Sequence, residues 1–182
     1  VNGLYNIGLS DGHNISEWKD LSGNGRHATQ TESSKQPVFD NSSSLPLIKF
    51  FEDSTGDYLA SPLNINQSEM DKVTVVAVFS VDTTGGVGVW GQDNGGWDRF
   101  IDFNHGQGSG LSNGTGINNV PSLTSEVNQG LMLTQSFYNE DATYGSYLYL
   151  NGELKTTFTA NNNSGLPDLI IGSINQTEGS WM

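Results

Sequence analysis

The chain has 182 residues, enough for one domain of ordinary size or two small ones. Its 20 acidic residues against 7 basic ones give a formal charge of -13, which repels phosphate backbones and anionic lipid and so argues against nucleic-acid binding and a polybasic membrane contact. The absence of cysteine excludes a disulfide scaffold, a thiolate zinc site and a cysteine nucleophile, and no apolar run approaches the ~18 residues a membrane-spanning helix needs.

In chain order, the first strand candidates are Leu47–Phe51 and Tyr58–Ala60. Asn66–Met70 reads as a single helical turn, with Ser68 or Asn66 as its cap. Val73–Val81 (VTVVAVFSV) is the strongest strand. Its nearly continuous apolar, β-branched character predicts cover on both faces. Val87–Gly91 and Arg99–Phe103 follow, the latter placing Phe100 and Asp102 on one face and Ile101 and Phe103 on the other. Gly106–Asn119 reads as a long loop with a weak strand. Leu131–Tyr138 comes next, then Tyr147–Leu150 and Glu153–Thr159 joined by Asn151-Gly152. Asn-Gly between two alternating runs signals a type I′ hairpin, because both central residues need φ > 0. Leu169–Ile171 is the last clear strand.

Glycine makes up 23 of the 182 residues, against a usual ~7%, and no segment holds a 3.6-residue period over ten residues. The predicted class is all-β, with about twelve short strands at spacings of about 8–12 residues, as in a sandwich or barrel. The 18 aromatic residues argue against disorder. No linker or internal repeat divides the chain, so residues 1–182 read as a single domain. The chain starts at Val1 rather than Met, which reads as processing or as a piece of a longer polypeptide.

Trp18–Gly25 reads WKDLSGNG and is followed by Arg26-His27-Ala28. This resembles the W-x-D-x-S-G-N-G signature near the start of laminin-G-like, concanavalin A-like jelly-roll domains. Tyr5–Ser16 is similar to the lead-in of many bacterial and phage copies. Phe50, Asp57-Tyr58-Leu59, Val73–Val81, Gly91-Gln92 through Asp98-Arg99-Phe100, Tyr149–Leu154 and Ile171-Gly172 extend the resemblance along nearly the whole chain. The fold it implies is a two-sheet antiparallel jelly-roll sandwich. The motif also has a local physical reading. Gly23 and Gly25 suit unusual backbone angles, Asp20 and Asn24 can hydrogen-bond the turn from within, and Trp18 can bury its ring under the sheet. On that reading the motif argues fold rather than function. Family members usually close with a further strand, and the chain stops at Gly179–Met182 where that strand would begin. The expectation is therefore a fragment of a longer chain, with an incomplete sheet, or one filled by another chain, near Val1–Tyr5 and Ile170–Met182.

The same fold includes glucanases, so catalysis has to be weighed. Retaining glycosidases need two carboxylates about 5–5.5 Å apart. The nearest match is Glu69-Met70-Asp71, which lacks the third acid of the laminarinase-like pattern. Arg26 and Arg99 are the two arginines, too few for a sialidase cluster. His13, His27 and His105 lack metal-ligand spacing, and no G-x-S-x-G elbow occurs.

The best ligand loop is Gly91–Asp98 (GQDNGGWD). It sets Gln92, Asp93, Asn94 and Asp98 beside Trp97, an aromatic face with planar polar groups that would suit a carbohydrate. The alternative is a solvated loop with Trp97 folded back as a lid on the core. Trp90 reads as core. Tyr138, Tyr144, Tyr147 and Tyr149 either line the concave face or pack across strands. Calcium is the cofactor that relatives of this fold bind at loop rims, and Asp20 with Asn24, or Asp93 with Asn94, are the candidate ligands. Six N-x-S/T sequons, at Asn14, Asn41, Asn66, Asn113, Asn162 and Asn175, mark surface loops in a host that glycosylates.

The expected function is a non-catalytic carbohydrate-binding or adhesion module, outside the cell, on its surface or on a phage particle. Its partners would be a glycan or host-surface polysaccharide and neighbouring domains or subunits of the same assembly, with no nucleic acid and no membrane insertion. The competing expectations are a structural or decoration domain of a virion or surface filament, and a glycan hydrolase.

Overall fold

A computed structural model describes residues 9–42, 45–51, 56–81, 87–94, 99–103, 111–115, 122–123, 130–139, 145–159, 164–174 and 176. Among these the chain forms fourteen strands and one short 3-10 turn, Ser33–Lys35. In order the strands are β1 (Glu17–Trp18), β2 (Ala28–Thr29), β3 (Val38–Asp40), β4 (Leu47–Lys49), β5 (Leu59–Ser61), β6 (Lys72–Phe79) and β7 (Val87–Gly91). They continue with β8 (Arg99–Phe103), β9 (Leu111–Thr115), β10 (Ser122–Leu123), β11 (Met132–Asn139), β12 (Ser146–Leu150), β13 (Glu153–Phe158) and β14 (Leu169–Ile171).

The architecture is an all-β antiparallel sandwich. One sheet has eight strands in the order β1-β2-β5-β14-β7-β8-β9-β10, and the other has four, β13-β12-β11-β6. A small hairpin, β3-β4, lies apart from both. Alternation in the strands supplies the core. Trp90 of β7 and Ile101 of β8 meet Met132, Tyr138, Leu148, Leu150 and Phe158 of the smaller sheet. Burying each such side chain stabilises the fold by about 1.5–3 kcal/mol. The Tyr138 ring meets Trp90 edge-on at 6.1 Å and Phe158 at 5.7 Å. Its hydroxyl donates to the Phe100 carbonyl at 3.2 Å, tying β11 to β8 across the interface. A second cluster, Ile15, Ala28, Phe39 and Leu59, joins the β3-β4 hairpin to the large sheet.

Just beyond β14, Ser173 and Ile174 lie close against β7. A Cβ at Gly88 would lie 2.5 Å from the Ile174 nitrogen, and one at Gly91 would lie 2.7 Å from the Ile174 carbonyl oxygen. Two missing side chains therefore let Ser173–Ile174 approach, and the Asp93 N–H donates to the Ile174 carbonyl at 2.9 Å.

Three expectations change here. Val73–Val81 is not covered on both faces: over β6 exposure alternates, and Val76 and Val78 are more than 60% exposed. The strand is the outermost of its sheet and no layer lies over that face among the described residues. Trp18 does not bury its ring. It stands in a two-residue edge strand and is exposed. Ile170 and Ile171 do not border an incomplete sheet, since β14 pairs with β5 on one side and β7 on the other. Residues 1–8 and 177–182 lie outside the described residues.

Candidate functional site

Of the predicted ligand loop, Gly91–Asn94 is described, while Trp97 and Asp98 lie outside the described residues. Gln92 and Asp93 are buried, and Asn94 is exposed. The Gln92 amide nitrogen donates to Asn66 Oδ1 at 2.7 Å, and its oxygen accepts from the Ile65 N–H at 3.3 Å. Asn66 in turn donates to the carbonyls of Gly165 and Leu166 at 3.2 and 3.0 Å and accepts from the Gly165 N–H at 2.6 Å. Asn94 donates to the Ser164 carbonyl at 2.7 Å. The planar amides therefore tie three loops together. Gln92, nominated as a ligand group, spends its amide inside the protein, because a fully buried amide must find internal partners.

The WKDLSGNG turn is built around Asp20. Its two carboxylate oxygens accept from the N–H groups of Ser22 and Arg26 at 2.7 and 3.0 Å. The Asp20 N–H donates to His27 Nδ1 at 2.9 Å, and Asn24 donates to Ser22 Oγ from its backbone and its side chain. Hydrogen bonds from the Ser22 hydroxyl, the Ser22 N–H and the Arg26 N–H hold the Asp20 carboxyl down at about 2. Gly23 and Gly25 take φ of 84° and 70°, angles a side chain disfavours. Each Asp20 oxygen meets an N–H, the Asn24 amide points its donor at Ser22, and no group of three or more His, Asp or Glu side chains converges among the described residues.

The arrangement best able to meet a ligand lies elsewhere, on the outer face of the four-stranded sheet. Register builds it. Thr74, Phe137, Tyr147 and Thr157 face each other across β6, β11, β12 and β13. The next row is Val76, Gln135, Tyr149 and Leu154. Val78 and Leu133 stand opposite each other beyond it. Side chains directly opposite on neighbouring strands lie about 4.5–5.5 Å apart, so each row is continuous. The Phe137 and Tyr147 rings stack at 4.8 Å with an interplanar angle of 28°, and Tyr147 meets Tyr149 edge-on at 5.4 Å. Threonine hydroxyls flank the aromatic pair, and a carboxamide stands beside Tyr149. The result is an aromatic strip with apolar ground on one side and hydroxyl and amide groups on its margins.

Of the tyrosines named from the sequence, Tyr147 and Tyr149 lie on this face. Tyr138 points the other way, into the core, where burial pushes its phenol well above the ordinary range despite the neighbouring Arg99 and its bond to Phe100. Tyr144 and His105 lie outside the described residues. Phe137, Gln135, Thr74 and Thr157 were missed. Alternation in MLTQSFYN and SYLYL signals two faces, but it does not say which one is covered. Glu69 and Asp71 are exposed on the turn before β6, which the Asn66 carbonyl closes by accepting from Glu69 and Met70 N–H at 3.0 and 2.8 Å. Trp90 is core, as expected. Among the sequons, Asn14 and Asn41 are exposed and Asn66 is buried, while Asn162 and Asn175 lie outside the described residues. Comparisons with family models, with curated proteins and with solved structures found no match to this chain.

Proposed function

We propose that the chain is a non-catalytic carbohydrate-binding or adhesion module of the laminin-G-like, concanavalin A-like jelly-roll class, displayed outside a cell, on its surface or on a phage particle. Two packed antiparallel sheets, the Asn151-Gly152 hairpin and the WKDLSGNG turn support the fold assignment. The observation that carries the function is the Phe137–Tyr147–Tyr149 strip with Thr74, Gln135 and Thr157 around it. A sugar ring has an apolar face that an aromatic ring can cover, and a hydroxyl rim that needs donors and acceptors. Both are present in one row of four strands. Catalysis is disfavoured because Glu69 and Asp71, the acids nominated for it, sit on an exposed turn and not in a cleft of facing strands.

A glycan array probed with the folded protein, with calcium present, is the test. Binding that falls at least about tenfold in Tyr147→Ala and Tyr149→Ala, with unchanged circular dichroism, supports the reading, since truncating an aromatic anchor typically costs about 2 kcal/mol or more. A folded protein that binds no glycan refutes it.

One observation favours a second reading, an assembly role in a virion or surface filament. Val76, Val78 and Leu133 leave apolar surface beside the aromatic strip, and β6 is the outermost strand of its sheet. Sedimentation showing a stable oligomer that Val76→Lys dissociates would favour assembly over ligand capture.

A further inference from the structure

We infer that the ligand of the Phe137–Tyr147–Tyr149 face is an uncharged glycan, gripped by ring stacking and hydroxyl contacts and not by charge. The inference rests on the carbohydrate-binding reading of that face and deepens it. Seven basic side chains exist. Arg99 is buried beneath the other side of the sheet, 5.3 Å from the Tyr138 ring, and donates to the carbonyls of Ile65 and Met70. Lys35, Lys49 and Lys155 pair with Glu32, Asp40 and Glu153 at 3.0, 3.7 and 2.8 Å. Lys19 and Arg26 flank the Asp20 turn on the eight-stranded sheet. That leaves Lys72, at the end of β6, as the cation that alternation sets at the margin of the aromatic face.

A sulfated or uronic-acid polymer needs several guanidinium or ammonium groups spaced along it, because one exposed ion pair contributes at most about 1 kcal/mol. It would also have to approach a protein of charge -13. An amino-sugar polymer needs carboxylates, and no outward register position on β6, β11, β12 or β13 carries one. Those positions are Lys72, Thr74, Val76 and Val78; Leu133, Gln135, Phe137 and the buried Asn139; Tyr147 and Tyr149; and Leu154 and Thr157. The same lack leaves no oxyanion cluster there for a bridging calcium. What remains, with the single Lys72 at its margin, is a surface of rings, methyl groups, hydroxyls and one exposed amide, which is complementary to a neutral hexose polymer.

The test is an array of neutral, sulfated, uronic-acid and amino-sugar glycans, read at low and high sodium chloride and with calcium or chelator. The result expected is capture of neutral glycans, with affinity changing less than about twofold between the salt extremes and between calcium and chelator. Lys72→Ala should change it by less than about twofold, while Tyr149→Leu, which keeps apolar volume, should weaken it severalfold. Capture confined to anionic or amino glycans, falling steeply with salt, overturns the inference and leaves the binding reading standing. Capture of nothing by the folded protein overturns the binding reading and this inference with it.

Discussion

Asn66→Ala is the sharpest test of how the loops at the end of β7 are held. The wild-type carboxamide makes four hydrogen bonds, to Gln92, to the Gly165 N–H and to the carbonyls of Gly165 and Leu166. Alanine removes them all. The Gln92 amide is fully buried and would lose the acceptor for its nitrogen. A buried donor left unmade costs about 1–3 kcal/mol. The Gly165 and Leu166 groups are half-buried and regain water, so about 0.5 kcal/mol each is the scale of their loss. The sum is about 3 kcal/mol, a large share of the ~5–15 kcal/mol that holds a domain together. Urea unfolding followed by tryptophan fluorescence should show the midpoint falling with little change in slope. A double-mutant cycle with Gln92→Leu adds a second requirement. The two changes should cost less together than the sum of the singles, because the pair removes both partners of one bond. A loss below about 0.5 kcal/mol in Asn66→Ala, or strict additivity with Gln92→Leu, would refute the network argument.

The other predictions follow from single contacts. Asp20 has a folded pKa of about 2, below the ~3.9 of an unfolded aspartate, so its contribution is complete above about pH 4 and is lost as pH falls through 2. NMR should show its carboxyl titrating near that value with the Ser22 and Arg26 amides moving in step, and Asp20→Asn should abolish that step. Tyr138 has its pKa raised by burial, so the folded state keeps its proton while the unfolded state releases it above about pH 10. Stability should therefore fall as pH rises past 10, and Tyr138→Phe should remove part of that dependence while costing about 1 kcal/mol at neutral pH for the lost bond to the Phe100 carbonyl. Gly91→Ala should destabilise by about 1–3 kcal/mol in chemical denaturation, because its Cβ would lie 2.7 Å from the Ile174 carbonyl oxygen and 2.8 Å from the Phe100 Cβ; an unchanged midpoint would mean that Ser173–Ile174 does not rest on the sheet.

Much of the architecture was legible in local sequence because local physics decides it. Asn151-Gly152 adopts φ of 52° and 84°, as a two-residue hairpin turn demands, and the flanking runs became β12 and β13. Asp20 caps its own turn within six residues, a range over which residue types alone determine the bonds. Strands of two or three residues, such as β1, β2 and β3, escaped notice, because pairing with partners distant in sequence, not propensity, makes them strands. The candidate site was less legible. Gln92 looked like a ligand group on a polar loop, yet its partner Asn66 is 26 residues away, and Asn66 reaches Gly165 across a further 99. Nothing in a single segment announces such a meeting. Likewise, a period of two tells that Tyr147 and Tyr149 share one face and Leu148 and Leu150 the other. Only the stacking of the two sheets decided that the leucines go under Trp90 and Ile101 and that the tyrosines stay outside. Side-chain alternation is a property of one strand, whereas cover is supplied by another layer of the protein.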